Sequence, residues 1–126
     1  MQGEVLETKY ANYRIIDGIM HIVYPSDLVI YIEVAKDIVK NRLLFSNGTA
    51  MPLFFDIRGI AFIDGASRKY FTTPEALHNV PAGAFLINSL VSRLAGNIFI
   101  RIDKPIVPTK LFTDEKKALK WLKKFK

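Results

Sequence analysis

Two groups of residues in this 126-residue chain have types and spacings that chemistry can use. The first is Asp64-Gly65-Ala66-Ser67, with Arg68 next. Aspartate ahead of this short run predicts a helix start. A helix N-terminus offers unpaired N–H groups and a positive dipole to an anion, and a phosphate there would gain charge-assisted bonds. The plainer role, and the favoured one, is that Asp64 simply caps the helix, because aspartate is among the commonest caps. The second group is Asp56, Arg58, Asn88 and Ser89, with Ser92 and Arg93 one turn on. These fall at the C-terminal ends of two predicted central strands, where open α/β sheets collect ligands. Asp56 and Arg58 pairing locally to hold the bend at Gly59 is an equally good reading. His21 and His78 are the only histidines, and there is no cysteine. Neither histidine has a second ligand at metal spacing, so no metal site is expected. No Gly-x-Ser-x-Gly, Gly-x-Gly-x-x-Gly or Walker A pattern occurs. No catalytic residue and no cofactor are therefore assigned, and the expectation is binding rather than catalysis.

Those residues need elements to hold them. Tyr10–Ile16 and Ile19–Tyr24 predict two strands joined by Asp17-Gly18, a hairpin turn that needs φ > 0 at both positions. Leu28–Tyr31 is either a short edge strand or the lead-in to a helix. Glu33–Phe45 predicts a helix: Val34 and Ile38 share a face, as do Ala35, Val39 and Leu43, and Ser46-Asn47-Gly48 stops it. Pro52–Asp56 and Ala82–Asn88 are short continuous apolar runs, as in strands buried on both faces. Between them, Asp64–Phe71 predicts a short helix and Pro74–Asn79 a helical turn. Ser89–Ile102 predicts a helix capped by Ser89, with Val91, Leu94, Ala95, Ile98, Phe99 and Ile102 as its apolar stripe. Lys110-Leu111-Phe112 is a last strand, and Thr113 is the expected cap of a terminal helix.

Net charge is +6, unevenly placed. Residues 1–109 hold 11 Lys/Arg and 10 Asp/Glu, whereas residues 110–126 hold seven Lys and two acids. A nucleic-acid binder spreads its cations over a face, so no nucleic-acid partner is expected. The terminal helix spaces Ala118, Trp121, Leu122 and Phe125 at i, i+3, i+4 and i+7 among lysines. Lys117, Lys120, Trp121 and Lys124 would be the contacts if it lay on an anionic membrane. A helix packed on the sheet with a solvated lysine face is the stronger expectation. The nine Phe and five Tyr are many for this length. Phe54, Phe55, Phe62, Phe71, Phe85 and Phe99 are core by default, or the lining of a cavity for an apolar ligand. The N-terminus is acidic and without an apolar leader, and no apolar run reaches the ~18 residues of a membrane span. A cytoplasmic location is expected.

The element order β-β-α-β-α-β-α-β-α fits a single α/β domain over residues 1–126, with 1–7 expected to be disordered. A mixed sheet of about five strands with helices packed on it follows. This order resembles the STAS domain, the fold of anti-sigma-factor antagonists and of the cytoplasmic tails of sulfate transporters. Residues 54–67 are similar to the family's strand, bend and Asp-Ser-Ser-Gly helix start. Residues 84–89 are similar to its next core strand, and residues 111–122 to its closing strand and helix. The nearest likeness is to the uncharacterised, stand-alone SpoIIAA-like bacterial branch. In the antagonists the phosphorylated serine stands two residues after that aspartate. Matching Asp64 to it puts Ala66 at the acceptor position and Ser67 one residue late. The resemblance therefore implies the fold and an unidentified protein partner at the Arg58–Arg68 corner, without the phosphoserine switch. An apolar or anionic small ligand and a homodimer are the other partners weighed.

Overall fold

In the computed structural model, which describes residues 4–88 and 90–126, the chain enters its sheet early. Val5–Glu7 (β1) pairs antiparallel with Asn12–Ile16 (β2), Leu6 opposite Tyr13. That corrects the expected disorder for these three residues. The segment is too short to show a period in sequence, but Leu6 packs against the core. Asp17 and Gly18 then take φ of 52° and 75°. The turn aligns β2 with Ile19–Val23 (β3), Ile16 opposite Ile19. Leu28–Ile30 (β4) is a strand, and Ile32–Ser46 (α1) follows it, ended by Asn47 in the left-handed conformation.

Leu53–Asp56 (β5) lies parallel to β3, with Met20 beside Leu53 and Ile22 beside Phe55. Ile60–Ile63 (β6), to which the sequence pattern assigns no element, pairs parallel with β4 as a separate two-stranded sheet. Gly65–Tyr70 (α2) comes next. Residues 71–79 are a run of turns that includes the expected helical turn at Pro74: the Leu77 amide donates to the Thr73 carbonyl at 3.0 Å, and the Ala76 amide to the Thr73 hydroxyl at 3.2 Å. Gly83–Leu86 (β7) and Thr109–Phe112 (β8) extend the parallel part. The main sheet is six-stranded, in the order β1-β2-β3-β5-β7-β8.

Between β7 and β8, Leu90–Ile98 (α3) passes into a π-helical turn, Phe99–Asp103. The expected uniform helix over 89–102 is thus re-phased after Ile98. Ser89, its expected cap, lies outside the described residues. Glu115–Leu122 (α4) closes the domain, and its cap is Asp114, not Thr113: the Asp114 carboxylate accepts from the Lys116 amide. Aspartate one residue later satisfies the same orphan donors.

Strand alternation divides the core in two. Met20, Ile22 and Leu53 face α1, where Tyr13 donates its hydroxyl to the Ile38 carbonyl at 2.8 Å. Ile19, Phe54, Ala84 and Leu86 face the other way and are covered by Ala118 and Leu122 of α4. No helix among the described residues is long and apolar enough to cross a membrane.

Candidate functional site

The turn at Asp64 is a cap. Its carboxylate accepts the Ser67 amide at 2.8 Å. Hydrogen bonding from Ser67, side chain first and main chain second, holds the Asp64 carboxyl below the usual range. The Ser67 side chain is fully buried, and its hydroxyl points at the Ile30 carbonyl, 3.5 Å away. In this structure Ser67 presents no surface to a partner. Gly65 opens a helix of only six residues. A depressed folded pKa means that the Asp64 contribution is present above the ordinary aspartate range and is lost as pH falls through the folded value. Asp64→Ala should therefore destabilise the protein more at pH 7 than at pH 3. Urea titrations of both proteins at the two pH values measure this, and an equal loss at both would remove the charged cap as the cause.

Asp56 and Arg58 pair locally. The guanidinium binds the carboxylate through two nitrogens, at 2.9 and 2.7 Å, and the Arg58 amide adds a third bond at 3.2 Å. That hydrogen bonding raises the Arg58 pKa further. Asp56 lies beside Leu86 in register, so it is on the α4 side of the sheet. Arg68 lies on the opposite side. It pairs with Asp103 of the π-helical turn at 3.0 Å and donates to the Ile63 carbonyl. The two arginines thus make separate ion pairs, Arg58 with Asp56 and Arg68 with Asp103. At the end of β7, the Asn88 amide donates to the Ser92 hydroxyl, which is fully buried. Asn88 and Arg93 are exposed. Of the residues grouped at the strand ends, Asn88 and Ser92 meet one another, and Asp56 meets Arg58.

The sheet and the helices on the α1 side line an apolar cavity of about 90 Å³. Phe55, Phe71, Phe85 and Phe99 line it, with Phe85 in ring contact with both Phe55 and Phe99. Phe54 does not, because it faces α4. Phe62 does not either: it is half exposed on β6 and meets the Tyr31 ring. Two cations reach the cavity wall, Arg68 and Arg42. Arg42 is only 3% exposed and went unseen in sequence. The signal was its spacing: Ala35, Ile38, Val39, Arg42 and Ser46 are the buried positions of α1, so the arginine stands on the apolar stripe itself.

The outer surface departs furthest from expectation. Leu94 and Ile102, expected in the core stripe, are 57% and 70% exposed, and Leu90 is 79% exposed. Ile106, Tyr31 and Phe62 are exposed as well. The α3 helix lies beside β6, so these side chains belong to adjoining elements. The lysines of α4 are exposed, but Trp121 meets the Phe112 ring at a tilt, 5.8 Å away, and the Phe125 ring edge-on, 5.0 Å away.

This architecture matches that of a solved structure. An uncharacterised protein of the DUF3478 family with a SpoIIAA-like fold, from Shewanella loihica PV-4, superposes with a TM-score of 0.60. The match covers 94% of this chain and 90% of that one, at 13% identity. The fold is accordingly SpoIIAA-like. A protein of unknown function from Arthrobacter sp. FB24 is 24% identical over 95% of this chain and 98% of that one, with a TM-score of 0.32. No curated protein matches. The family model described as Domain of unknown function (DUF7793) matches residues 13–126, everything from β2 through α4, and the chain belongs to that family.

Proposed function

We propose that the domain is a non-enzymatic protein-interaction module of STAS-like type, and that it works without a phosphoserine switch. One observation carries this reading: Leu90, Leu94, Ile102, Phe62 and Tyr31 are exposed on the adjoining elements α3, the π-helical turn, β6 and the β4–α1 junction. Scattered apolar side chains on a surface are ordinary, but a concentration on one face marks an interaction site. Covering a large side chain contributes about 1.5–3 kcal/mol, so a few of them suffice for a specific complex. Two features support the absence of a switch: Ala66 stands at the acceptor position, and Ser67 is buried.

The contact with an anionic membrane through Lys117, Lys120, Trp121 and Lys124 has less support. The apolar side of α4, Ala118 and Leu122, is already spent on the sheet.

The test is site-specific photo-crosslinking in the cell of origin, with the reactive residue at Leu94 and a control at exposed Lys40. One discrete heavier species from Leu94 alone, lost on adding Ile102→Asp, is expected. Its mass separates a second copy of this chain from another protein. The same pattern from Lys40, or none from Leu94, would end the reading.

A further inference from the structure

Arg42 is the only basic side chain buried among the described residues. Its Nη2 donates to the Ala76 carbonyl at 2.9 Å, which ties α1 to the turns after α2. The ion pairs among the described residues belong to Arg58, Arg68 and Lys126; none involves Arg42. The groups that act on it electrostatically are the phenols of Tyr13, Tyr24 and Tyr70, and the last of these donates to Glu75. Burial disfavours the guanidinium's charge, yet arginine keeps its proton in proteins. A buried cation without a counter-ion is costly, and a well-placed anion offsets the cost.

The rest of the wall is hydrocarbon. Ile22, Leu53, Phe55 and Val80 border the same cavity as Arg42, and Ala95 and Phe99 border it from the α3 side. Its other cation, Arg68, already holds Asp103. A complementary occupant carries one planar anion for the guanidinium fork and an aliphatic body for the wall. Carboxylate matches that fork with two parallel N–H···O bonds. Inorganic phosphate would bring charge with no apolar body. A cavity of about 90 Å³ suits a small body, so the aliphatic part is a short chain.

We propose that this cavity is a binding site for a short-chain monocarboxylate, with its carboxylate on Arg42 and its alkyl group between the sheet and α3. It is independent of the outer apolar face.

Two-dimensional ¹H–¹⁵N spectra of the whole chain, titrated with sodium butyrate, butyramide or inorganic phosphate, test it. Butyrate should give saturable shifts at cavity-lining residues. Butyramide, the neutral isostere, and phosphate should bind at least tenfold more weakly. Arg42→Met should lose butyrate binding while keeping a dispersed spectrum. Ala95→Leu, which fills the cavity at its far end and leaves the arginine in place, should weaken it by a similar factor. Ala95→Leu and the amide comparison decide the matter if Arg42→Met does not fold. Equal binding of acid and amide, preferential binding of phosphate, unchanged binding in a folded Arg42→Met or in Ala95→Leu, or no saturable shift in the wild type would each overturn the proposal.

Discussion

Phe54→Ala should lower the unfolding free energy by about 3–5 kcal/mol, the usual cost of removing a buried phenylalanine. Phe54 is 2% exposed on β5, the third of the six strands from the β8 edge. It touches the His21 ring at 5.1 Å and packs with Ile19, Ala84 and Leu86 under Ala118 and Leu122. Three of its neighbours, Ala82, Ala84 and Ala118, are too short to reach into the space, so part of the void persists and adds to the loss. Urea unfolding followed by tryptophan fluorescence measures it, because Trp121 sits on the same helix. A loss below about 1 kcal/mol would mean that α4 does not depend on this face of the sheet.

The second large effect belongs to Gly59→Ala. A Cβ at this position would lie 2.5 Å from the Pro25 carbonyl oxygen and 2.9 Å from that of Tyr24. Both obstacles are backbone, and the strand link they belong to is fixed by two hydrogen bonds, Tyr24 amide to Asp56 carbonyl and Leu28 amide to Gly59 carbonyl. Relief requires the β3–β4 link and the β5–β6 link to part. The cost is about 3 kcal/mol, the high end of overpacking. Gly48→Ala is the matching control. It has φ of +81° and nothing within 4 Å of its Cβ, so it should cost only about 1 kcal/mol through conformation. Equal losses in the two variants would show that crowding at Gly59 is not the determinant.

The parts of this fold that were legible in sequence are those decided locally. Asp17-Gly18 demands a tight turn whatever surrounds it, and the hairpin register follows from two residues. The Asp56–Arg58 pair spans two positions and Asp64 caps three residues ahead, so neither needs a distant partner. The β4 and β6 strands are three and four residues long and pair only with each other across a helix and a strand. No local pattern distinguishes them from loop. In α3, periodicity marks a stripe but does not say which side the sheet is on. The π-helical turn then shifts the phase, so Phe99 turns inward and Ile102 outward. Arg42 escaped for a related reason. Even on an apolar stripe an arginine ordinarily lays its stem along the surface and keeps its head in water, and here the turns after α2 close over it.

The covering of the sheet by α4 also bears on synthesis. The face it protects draws Ile19, Phe54, Ala84 and Leu86 from three separate stretches of chain, and residues 115–122 are translated after all of them. At about 5–20 residues per second, this apolar face stays open to water for several seconds after Phe54 has been added. The α1 side can be covered far sooner, since α1 precedes β5. The nascent domain is therefore one-sided, and its uncovered side is the one most open to aggregation until α4 has been made.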